Sequence, residues 1–327
     1  MFDIWLPLLG GLVLLVGGGE LLVRGAVQVA TRLGVSPLVI GLTLVCFGTS
    51  TPELVTSLQA GLAGAPGIAY GNIVGSNISN ILLIVGVSAL VYPIAVQSGA
   101  LKRDGGVMVA VAAVFAGLSA LLPFGPWIGA ILLASLAGYI YLAFRQERVA
   151  TPDGHGAVYD KSAALQDADP GAVPGAQPAV SLLGSLAIAG LGLGLVVLGG
   201  HFLVGGAVSL ARGFGISETV IGLTIVAIGT SMPELVTSVM AGIRRQSDVA
   251  FGNIVGSNIY NILGIGGMTA LVAPGSVPAE IVGFDNLVMV GVSVVMMVFA
   301  YTGLRIGRRE GALLLAGYGG YLYVIWP

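Results

Sequence analysis

Apolar residues fill the chain in long blocks, which short clusters of polar residues, glycine and proline separate. Most blocks reach the roughly 20 residues that a helix needs to cross a hydrocarbon core, and they lack the ten-residue alternation of membrane barrel strands. We therefore predict an all-α polytopic membrane protein with ten transmembrane helices. The predicted helices cover residues 4–23, 35–62, 68–93, 105–122, 126–144, 181–204, 216–243, 249–273, 284–304 and 310–326.

Composition agrees with this pattern. Hydrophobic residues make up 56% of the 327 residues and charged residues 9%, with a mean hydropathy of +0.99, whereas about a quarter of a soluble domain is charged. The first block lacks a basic n-region and a small-residue cleavage site, so we expect a helix rather than a cleaved signal peptide. The single cysteine, Cys46, excludes a disulfide within the chain.

Basic residues indicate the orientation, because they gather in the cytoplasmic loops of membrane proteins. With both termini outside, 12 of the 13 lysines and arginines fall in cytoplasmic connections, and Arg212 is the exception. The twelve are Arg24, Arg32, Lys102, Arg103, Arg145, Arg148, Lys161, Arg244, Arg245, Arg305, Arg308 and Arg309. We predict a multi-pass protein of the inner (plasma) membrane, working as a monomer in the lipid bilayer, with no nucleic-acid partner.

Residues 146–180 are rich in proline, glycine, alanine and aspartate and contain few large apolar residues. This composition predicts a disordered cytoplasmic linker, which we interpret as a plain tether, with a regulatory role as the alternative. The linker separates a first five-helix repeat at 1–145 from a second at 181–327.

The two halves share their sequence at a shift of 181 residues. "GVSPLVIGLTLVCFGTSTPELVTSLQAG" aligns with "GISETVIGLTIVAIGTSMPELVTSVMAG", and "YGNIVGSNISNIL" aligns with "FGNIVGSNIYNIL", without a gap between the blocks. Because five helices is an odd number, the second half must enter the membrane from the opposite side. Such inverted repeats are typical of secondary transporters, which bind substrate near the midplane between the halves.

Each half carries a glutamate in its apolar block, and neither motif, "GTSTPELVTS" or "GTSMPELVTS", contains a basic residue. Thr49 and Glu53 are four residues apart, as are Ser76 and Asn80, so each pair shares a helical face. The counterparts in the second half are Thr230, Glu234, Ser257 and Asn261. The pattern therefore predicts two matched sets of carboxylate, hydroxyl and amide oxygens.

A proline precedes each glutamate. Pro52 and Pro233 cannot donate the helical hydrogen bond, so we expect the helices to break there and to leave carbonyl groups free. Oxygen ligands of this kind suit Ca²⁺, which accepts about 6 to 8 of them, and we expect Na⁺ to accept the same ligands. A buried carboxylate costs about 2.5 to 3.5 kcal/mol in a membrane, so the pair must be protonated or balanced by bound cations.

These motifs resemble the two alpha-repeat signatures of the cation/calcium antiporter superfamily, in its prokaryotic Na⁺/Ca²⁺ exchanger branch. The resemblance covers both halves and implies a ten-helix fold, with helices 2, 3, 7 and 8 around the ions and helices 1 and 6 sliding across them. It implies ligand roles for the eight polar residues named above, with Ser50 and Ser231 close by and the backbone carbonyls of Cys46 and Ala227 added. The archaeal pattern has an aspartate where this chain has Asn261, so proton competition and Na⁺ stoichiometry stay open.

We expect a secondary antiporter that exchanges Na⁺ for Ca²⁺ by alternating access, with an H⁺-coupled Ca²⁺ antiporter as the alternative. Both ions would bind as substrates, and we expect no resident cofactor and no enzymatic activity. A zinc protease would need a histidine motif, and the chain has only His155 and His201. A channel usually gains its symmetry from an oligomer rather than from a repeat within one chain. We interpret Glu20 and Arg24 as an interfacial ion pair and Asp285 as a solvated residue at a helix end.

Overall fold

The computed structural model describes residues 2–33, 46–96, 101–147, 159, 161–163, 181–243 and 247–326. The helices of the first half are α1 (Phe2–Arg32), α2 (Cys46–Thr49), α3 (Thr51–Leu62), α4 (Pro66–Ser79), α5 (Gly86–Val91), α6 (Gly106–Leu121) and α7 (Pro126–Glu147). Those of the second half are α8 (Leu182–Phe214), α9 (Glu218–Ile221), α10 (Ala227–Thr230), α11 (Met232–Ile243), α12 (Ser247–Tyr260), α13 (Gly267–Val272), α14 (Asn286–Tyr301) and α15 (Arg308–Ile325).

Short π-helical turns and one small sheet complete the described elements. The π-helical turns are Asn80–Val85, Leu101–Gly105, Gly222–Val226, Asn261–Gly266 and Ile281–Asp285. The strands β1 (Ile94–Ala95) and β2 (Arg305–Ile306) pair antiparallel, with Ile94 opposite Ile306. This sheet therefore joins the end of the first half's α5 to the loop before α15.

In the described part of the chain, seven helices are long and apolar enough to cross a membrane. These are Ile4–Arg32, Pro66–Val91, Arg103–Leu121, Pro126–Arg145, Leu182–Phe214, Ala250–Val272 and Ile281–Tyr301. The bent pair Glu218–Thr230 and Met232–Ile243 makes an eighth span when it is counted as one. The predicted helical, multi-pass membrane protein is confirmed, whereas ten helices in two inverted repeats stay a prediction.

Two of these spans lie at the centre of the molecule. Pro66–Val91 and Ala250–Val272 are 83% and 89% buried, whereas the other five single spans are between 22% and 33% buried. Both central spans carry the "GNIVGSN" block and contain a π-helical turn. The most strongly matched part of the repeat is therefore the part that other helices enclose.

The predicted proline breaks are confirmed in both halves. Ser50 separates α2 from α3, and Ser231 separates α10 from α11, with backbone angles of φ −83° and ψ 5° at the first and φ −83° and ψ 8° at the second. Pro52 and Pro233 each lie in the first turn of the following helix, where the missing N–H has no intrahelical partner to lose. The second break bends the chain by 47°.

The two longest helices, α1 and α8, pack against each other through glycines. The stripes repeat every seventh residue, at Gly11, Gly18 and Gly25 on α1 and at Gly192, Gly199 and Gly206 on α8. A Cβ added at Gly199 would lie 2.7 Å from the backbone N of Leu15, and one at Gly18 would lie 2.8 Å from that of Val196. Only glycine permits such close contact between backbones.

Glycines also join the two halves at the centre. A Cβ at Gly75 of α4 would lie 2.6 Å from the carbonyl oxygen of Leu223, and one at Gly222 would lie 2.7 Å from that of Gly67. Leu223 and Gly222 belong to the π-helical turn that leads into α10. The central helix of the first half is therefore held directly against the broken helix of the second.

Two further predictions concern charged residues outside the central helices: the Glu20–Arg24 ion pair and the solvation of Asp285. The ion pair between Glu20 and Arg24 is confirmed. The interpretation of Asp285 as solvated is wrong, because this residue is 3% exposed and accepts a hydrogen bond from Tyr321 Oη at 2.9 Å. Asp285 precedes α14 in the chain, but α15 packs over it there, and sequence position alone did not show this.

Most of the predicted linker, and Arg148, Arg244 and Arg245, lie outside the described residues. Within the linker, Tyr159 and residues 161–163 are helical, and Tyr159 packs against the hydrophobic core. Lys161 has no exposed surface, and Ser162 is 4% exposed. At these positions the structure differs from the predicted disorder, because the segment is packed inside the protein.

Candidate functional site

Buried polar side chains gather around the two helix breaks. All ten residues whose side chains were predicted as ligands or near neighbours expose 4% of their surface or less. They are Thr49, Ser50, Glu53, Ser76, Asn80, Thr230, Ser231, Glu234, Ser257 and Asn261. Burial of this many polar groups is costly unless they bond to one another or to a ligand.

The two glutamates are held by hydroxyl groups from the opposite half. Ser231 Oγ donates a hydrogen bond to Glu53 Oε1 at 3.1 Å, and Ser50 Oγ donates one to Glu234 Oε1 at 3.4 Å. Each serine is the residue at which its own helix breaks, so the non-helical turn presents the hydroxyl to the other half. The structure thus brings both predicted glutamates to one centre between the halves.

Two asparagines fix the backbone at the glutamates. Asn72 Nδ2 donates to the carbonyl oxygen of Glu53 at 3.1 Å and to Ser57 Oγ at 2.9 Å. Asn253 Nδ2 donates to the carbonyl oxygen of Glu234 at 3.4 Å and to Ser238 Oγ at 2.8 Å. Neither asparagine was predicted from the sequence to be a site residue. The signal was available, since both asparagines belong to the identical "GNIVGSN" blocks, 181 residues apart.

Asn72 also connects to the second half. Thr230 Oγ1 donates a hydrogen bond to Asn72 Oδ1 at 2.9 Å, as well as to the carbonyl oxygen of Val226 at 3.1 Å. Asn253 Oδ1 has no hydrogen-bond partner within the described residues. The two asparagines therefore play matched roles toward the glutamates but differ in their link to the opposite half.

One group of buried polar atoms, all from predicted ligands, has no hydrogen-bond partner in the described part of the chain, and further such atoms occur at other positions. It comprises Thr49 Oγ1, Glu53 Oε2, Ser76 Oγ, Asn80 Oδ1, Glu234 Oε2, and Oδ1 and Nδ2 of Asn261. Buried polar atoms normally have a partner, so a cluster of unsatisfied oxygens indicates a site for a ligand that they would bind. Five of these seven atoms belong to neutral Thr, Ser and Asn side chains, so the group is mainly neutral. The described residues contain no group of three His, Cys, Asp or Glu side chains that could hold a metal ion.

The two amides begin matching distortions of the central helices. Asn80 and Asn261 are the first residues of the turns Asn80–Val85 and Asn261–Gly266. Such π-helical turns inside α-helices occur frequently at functional sites. Asn80 Nδ2 donates to Asn258 Oδ1 at 2.9 Å, which orients its unsatisfied Oδ1.

The predicted backbone ligands lie at the start of the short helices before each break. Cys46 is the first residue of α2, and Ala227 is the first residue of α10. The carbonyl oxygen of Ala227 accepts hydrogen bonds from the backbone N of Ser231 at 3.1 Å and from Thr230 Oγ1 at 3.4 Å. The two predicted carbonyls thus occupy equivalent positions in the two halves.

Among the described residues, the basic side chain of Lys161 reaches these buried polar atoms. Lys161 Nζ donates to Ser257 Oγ at 2.7 Å and to Ser50 Oγ at 3.1 Å, and it lies 3.8 Å from Glu234 Oε1. From the sequence, Lys161 was predicted to lie in the cytoplasmic linker, and neither glutamate motif contains a basic residue. No motif signalled the contact, because Lys161 is far from Glu234 in the sequence.

Comparison with known proteins identifies the family. The family model described as sodium/calcium exchanger protein matches residues 4–145 and 184–326. The chain is similar to the sodium/calcium exchanger MaX1 of Methanosarcina acetivorans, at 36% identity over 98% of each chain. It is also similar to the inner membrane protein YrbG of Escherichia coli, at 34% identity over 98% of this chain and 94% of YrbG.

Solved structures agree with the sequence relatives. A structure of the sodium-calcium exchanger NCX_Mj, soaked with Na⁺ and Sr²⁺, matches with a TM-score of 0.60 and 32% sequence identity. The match covers 99% of this chain and 97% of NCX_Mj. The resemblance inferred from the repeated motifs is confirmed: the chain belongs to the sodium/calcium exchanger family, within the cation/calcium antiporter superfamily.

Proposed function

We propose that this protein is a secondary active antiporter that exchanges Na⁺ for Ca²⁺ across the membrane by alternating access. Membership of the exchanger family supports antiport of cations including Ca²⁺, in a transporter rather than an enzyme. The observation that carries the proposal is the cluster of unsatisfied buried oxygens around Glu53 and Glu234, between the two halves. Hard oxygen ligands of this kind suit Ca²⁺ in flexible geometry.

We propose that the ions are bound by four side chains from each half. They are Thr49, Glu53, Ser76 and Asn80 from the first half and Thr230, Glu234, Ser257 and Asn261 from the second. Ser50 and Ser231 orient the carboxylates and lie within reach of the ions. The carbonyl oxygens of Cys46 and Ala227 complete the set.

Charge explains why binding would lead to exchange. Two ionised glutamates in a membrane cost about 2.5 to 3.5 kcal/mol each when nothing balances them. One Ca²⁺ ion neutralises both, and so do two Na⁺ ions. A carrier with neither bound ions nor Lys161 beside Glu234 would keep its buried charges uncompensated and would reorient rarely, so each ion leaves only when another cation replaces it.

The neutral ligands favour Na⁺ over H⁺ as the coupling ion. Thr49 Oγ1 and Ser76 Oγ are buried without partners in the described part of the chain. A protonated glutamate needs no such additional ligands, whereas a dehydrated Na⁺ ion needs several oxygens. An H⁺-coupled antiporter is the second candidate, because Glu53 and Glu234 can each carry one proton, although Asn261 supplies no third proton acceptor.

The proposal includes the arrangement predicted from the sequence. Two five-helix repeats at 1–145 and 181–327 would have opposite orientations, with both termini outside. The chain is an integral, multi-pass membrane protein, and we propose that one copy forms a complete transporter.

Flux measurements test the coupling ion. Purified protein in liposomes loaded with Na⁺ should take up radiolabelled Ca²⁺, and liposomes loaded with K⁺ or choline at equal pH should not. Uptake driven by a pH gradient without Na⁺ would replace Na⁺ coupling with H⁺ coupling. Absence of Ca²⁺ uptake both with the Na⁺ gradient and with the pH gradient would contradict the proposed transport activity.

A further inference from the structure

The side chain of Lys161 occupies the position in which the proposed function places a cation. Its Nζ has no exposed surface, and it contacts the hydroxyls of Ser257 and Ser50 and the carboxylate of Glu234. Ser257 and Glu234 are two of the proposed ion ligands. An ammonium group is a compact positive charge with three donors, so it can satisfy oxygens that would otherwise bind a metal cation.

An aromatic ring also contacts the ammonium. Lys161 Nζ lies 5.4 Å from the ring centroid of Tyr260, within the range of a cation–π interaction. Phe47 holds this ring edge-on, with the two ring centroids 4.7 Å apart. The first half has Ser79 at the position that matches Tyr260, so the aromatic contact is confined to the second half.

The segment around Lys161 is packed as well as its side chain. Tyr159 packs against the hydrophobic core, and Ser162 is 4% exposed. Both flank Lys161 in the chain. The contact therefore involves a short segment of the linker and not only the tip of one long side chain.

The Lys161 ammonium and a metal ion would repel each other if both occupied the proposed ion site. Ca²⁺ lies about 2.4 Å from its oxygen ligands, and Lys161 Nζ lies 2.7 Å from Ser257 Oγ. Any Ca²⁺ ion that Ser257 Oγ binds would then lie within about 5 Å of the ammonium. Two positive charges this close in a buried site repel each other strongly, because the effective dielectric constant there is low.

We propose that Lys161 is a tethered competitor of the transported ions, through which the segment between the two repeats inhibits the exchanger. The proposal rests on the proposed ion site. Lys161 follows the end of α7 at Glu147 by 14 residues, and a chain of that length extends to about 46 Å. The segment can therefore withdraw from the site while it stays attached to α7.

The competition has a measurable consequence. A site that is free in only a fraction of the molecules binds with an apparent dissociation constant equal to the intrinsic constant divided by that fraction. If Lys161 occupies the site in about nine molecules of ten, its removal strengthens apparent Ca²⁺ binding about tenfold. Because the competitor belongs to the same chain, dilution of the protein does not weaken it.

Binding of Ca²⁺ to the purified full-length protein, measured by calorimetry, tests this effect. Lys161→Gln should lower the apparent dissociation constant by about three- to tenfold, and Lys161→Arg should lower it less because it keeps the charge. Arg145→Gln is the matched control, since it removes a positive charge from an exposed position at the end of α7. It should leave the constant unchanged.

Chemical modification provides a second readout that needs no variant. The chain contains two lysines, Lys102 and Lys161, so Lys102 serves as an internal reference for an amine-reactive ester, with the products quantified by mass spectrometry. Saturating Ca²⁺ should raise the modification rate of Lys161 relative to Lys102 by about tenfold, since the ion displaces the ammonium. Mg²⁺ at the same ionic strength controls for screening.

The outcomes separate this inference from the proposed function. If the wild type binds Ca²⁺, Glu53→Gln does not, and Lys161→Gln binds no more tightly than the wild type, the ion site stands and the competitor role is overturned. Modification of Lys161 that is independent of Ca²⁺ overturns it as well. If neither the wild type nor Lys161→Gln binds Ca²⁺, the proposed ion site falls, and this inference falls with it.

Discussion

The two copies of the glutamate motif have the same geometry but different neighbours. The backbone at Ser50 and Ser231 agrees within a few degrees, and each serine hydroxyl bonds the glutamate of the other half. Lys161, however, approaches Glu234, and Tyr260 stands where the first half has Ser79. The two repeats thus carry the same ligands. The linker segment around Lys161 belongs to neither repeat, and it makes the surroundings of the two glutamates unequal.

Asp104 and Asp285, a second matched pair away from the centre, also share a contact but have different neighbours. Asp104 accepts a hydrogen bond from Tyr139 Oη at 3.2 Å, and Asp285, 181 residues later, accepts one from Tyr321 Oη at 2.9 Å. Arg103 forms an ion pair with Asp104 at 2.9 Å, but the residue before Asp285 is Phe284, whose ring stacks on that of Tyr321. Both repeats therefore have the hydrogen bond between aspartate and tyrosine, but the residue before the aspartate is Arg103 in the first repeat and Phe284 in the second.

The largest expected effect comes from neutralising either glutamate. Glu53→Gln and Glu234→Gln should each reduce Na⁺-driven Ca²⁺ uptake into liposomes more than 100-fold, because loss of a buried charged partner costs about 3 to 5 kcal/mol. The exposed Glu20→Gln serves as the control and should retain uptake. Wild-type exchange in both site variants would contradict the ligand assignment.

The same variants sharpen the comparison of the two halves. Glu234→Gln removes a contact of Lys161 and should raise the modification rate of that lysine without Ca²⁺, whereas Glu53→Gln should change it less. Equal effects of the two variants on Lys161 would show that the ammonium does not distinguish the two copies.

A smaller effect is expected from the asparagines that hold the glutamate backbones. Asn72→Ala and Asn253→Ala leave buried acceptors without a hydrogen-bond donor, which costs about 1 to 3 kcal/mol each, so the Ca²⁺ concentration for half-saturation should rise about fivefold or more. Asn72→Ala should be the more damaging, since Asn72 also bonds Thr230 of the other half. Uptake as a function of Ca²⁺ concentration measures both.

Asn77→Ala is the matched control for the asparagine variants. Asn77 lies on the same helix as Asn72 and is buried, but its Nδ2 donates to the carbonyl oxygen of Ile73 in that helix. It should affect thermal stability more than half-saturation. Equal rises in half-saturation for all three variants would indicate a general loss of packing.

The smallest effect is expected from making the second copy more like the first. Tyr260→Ser removes a cation–π contact of about 0.5 to 2 kcal/mol, so apparent Ca²⁺ binding should strengthen about two- to tenfold. The same substitution in Lys161→Gln should have no such effect, because the two changes act through one contact. Additive effects of the two substitutions would separate Tyr260 from the lysine.

Local chemistry explains what the sequence predicted well. Pro52 and Pro233 had to end a helix, and residues four apart had to share a face, so the breaks and the polar cluster followed from spacing. The exact repetition of "GNIVGSN" also marked Asn72 and Asn253, but a buried asparagine could equally bond helices together. Their contact to the glutamate carbonyls became visible only with both helices in place.

Long-range contacts explain what could not be predicted. Lys161 carries no motif, and the composition of its neighbours indicates disorder, so only the packed structure shows its contact with Ser257. Asp285 lies beside a helix end, where an aspartate is usually solvated, yet Tyr321 of α15 covers it. Part of the predicted second helix, at residues 35–45, lies outside the described residues.

The glycine contacts between α1 and α8 have a consequence for the bilayer. The two helices contain 31 and 33 residues and extend about 46 and 50 Å at 1.5 Å per residue, well beyond a hydrocarbon core of about 30 Å. A helix that is too long for its bilayer tilts. Since backbone contact leaves little freedom between α1 and α8, the thickness of the surrounding lipid acts on one helix from each half at the same time.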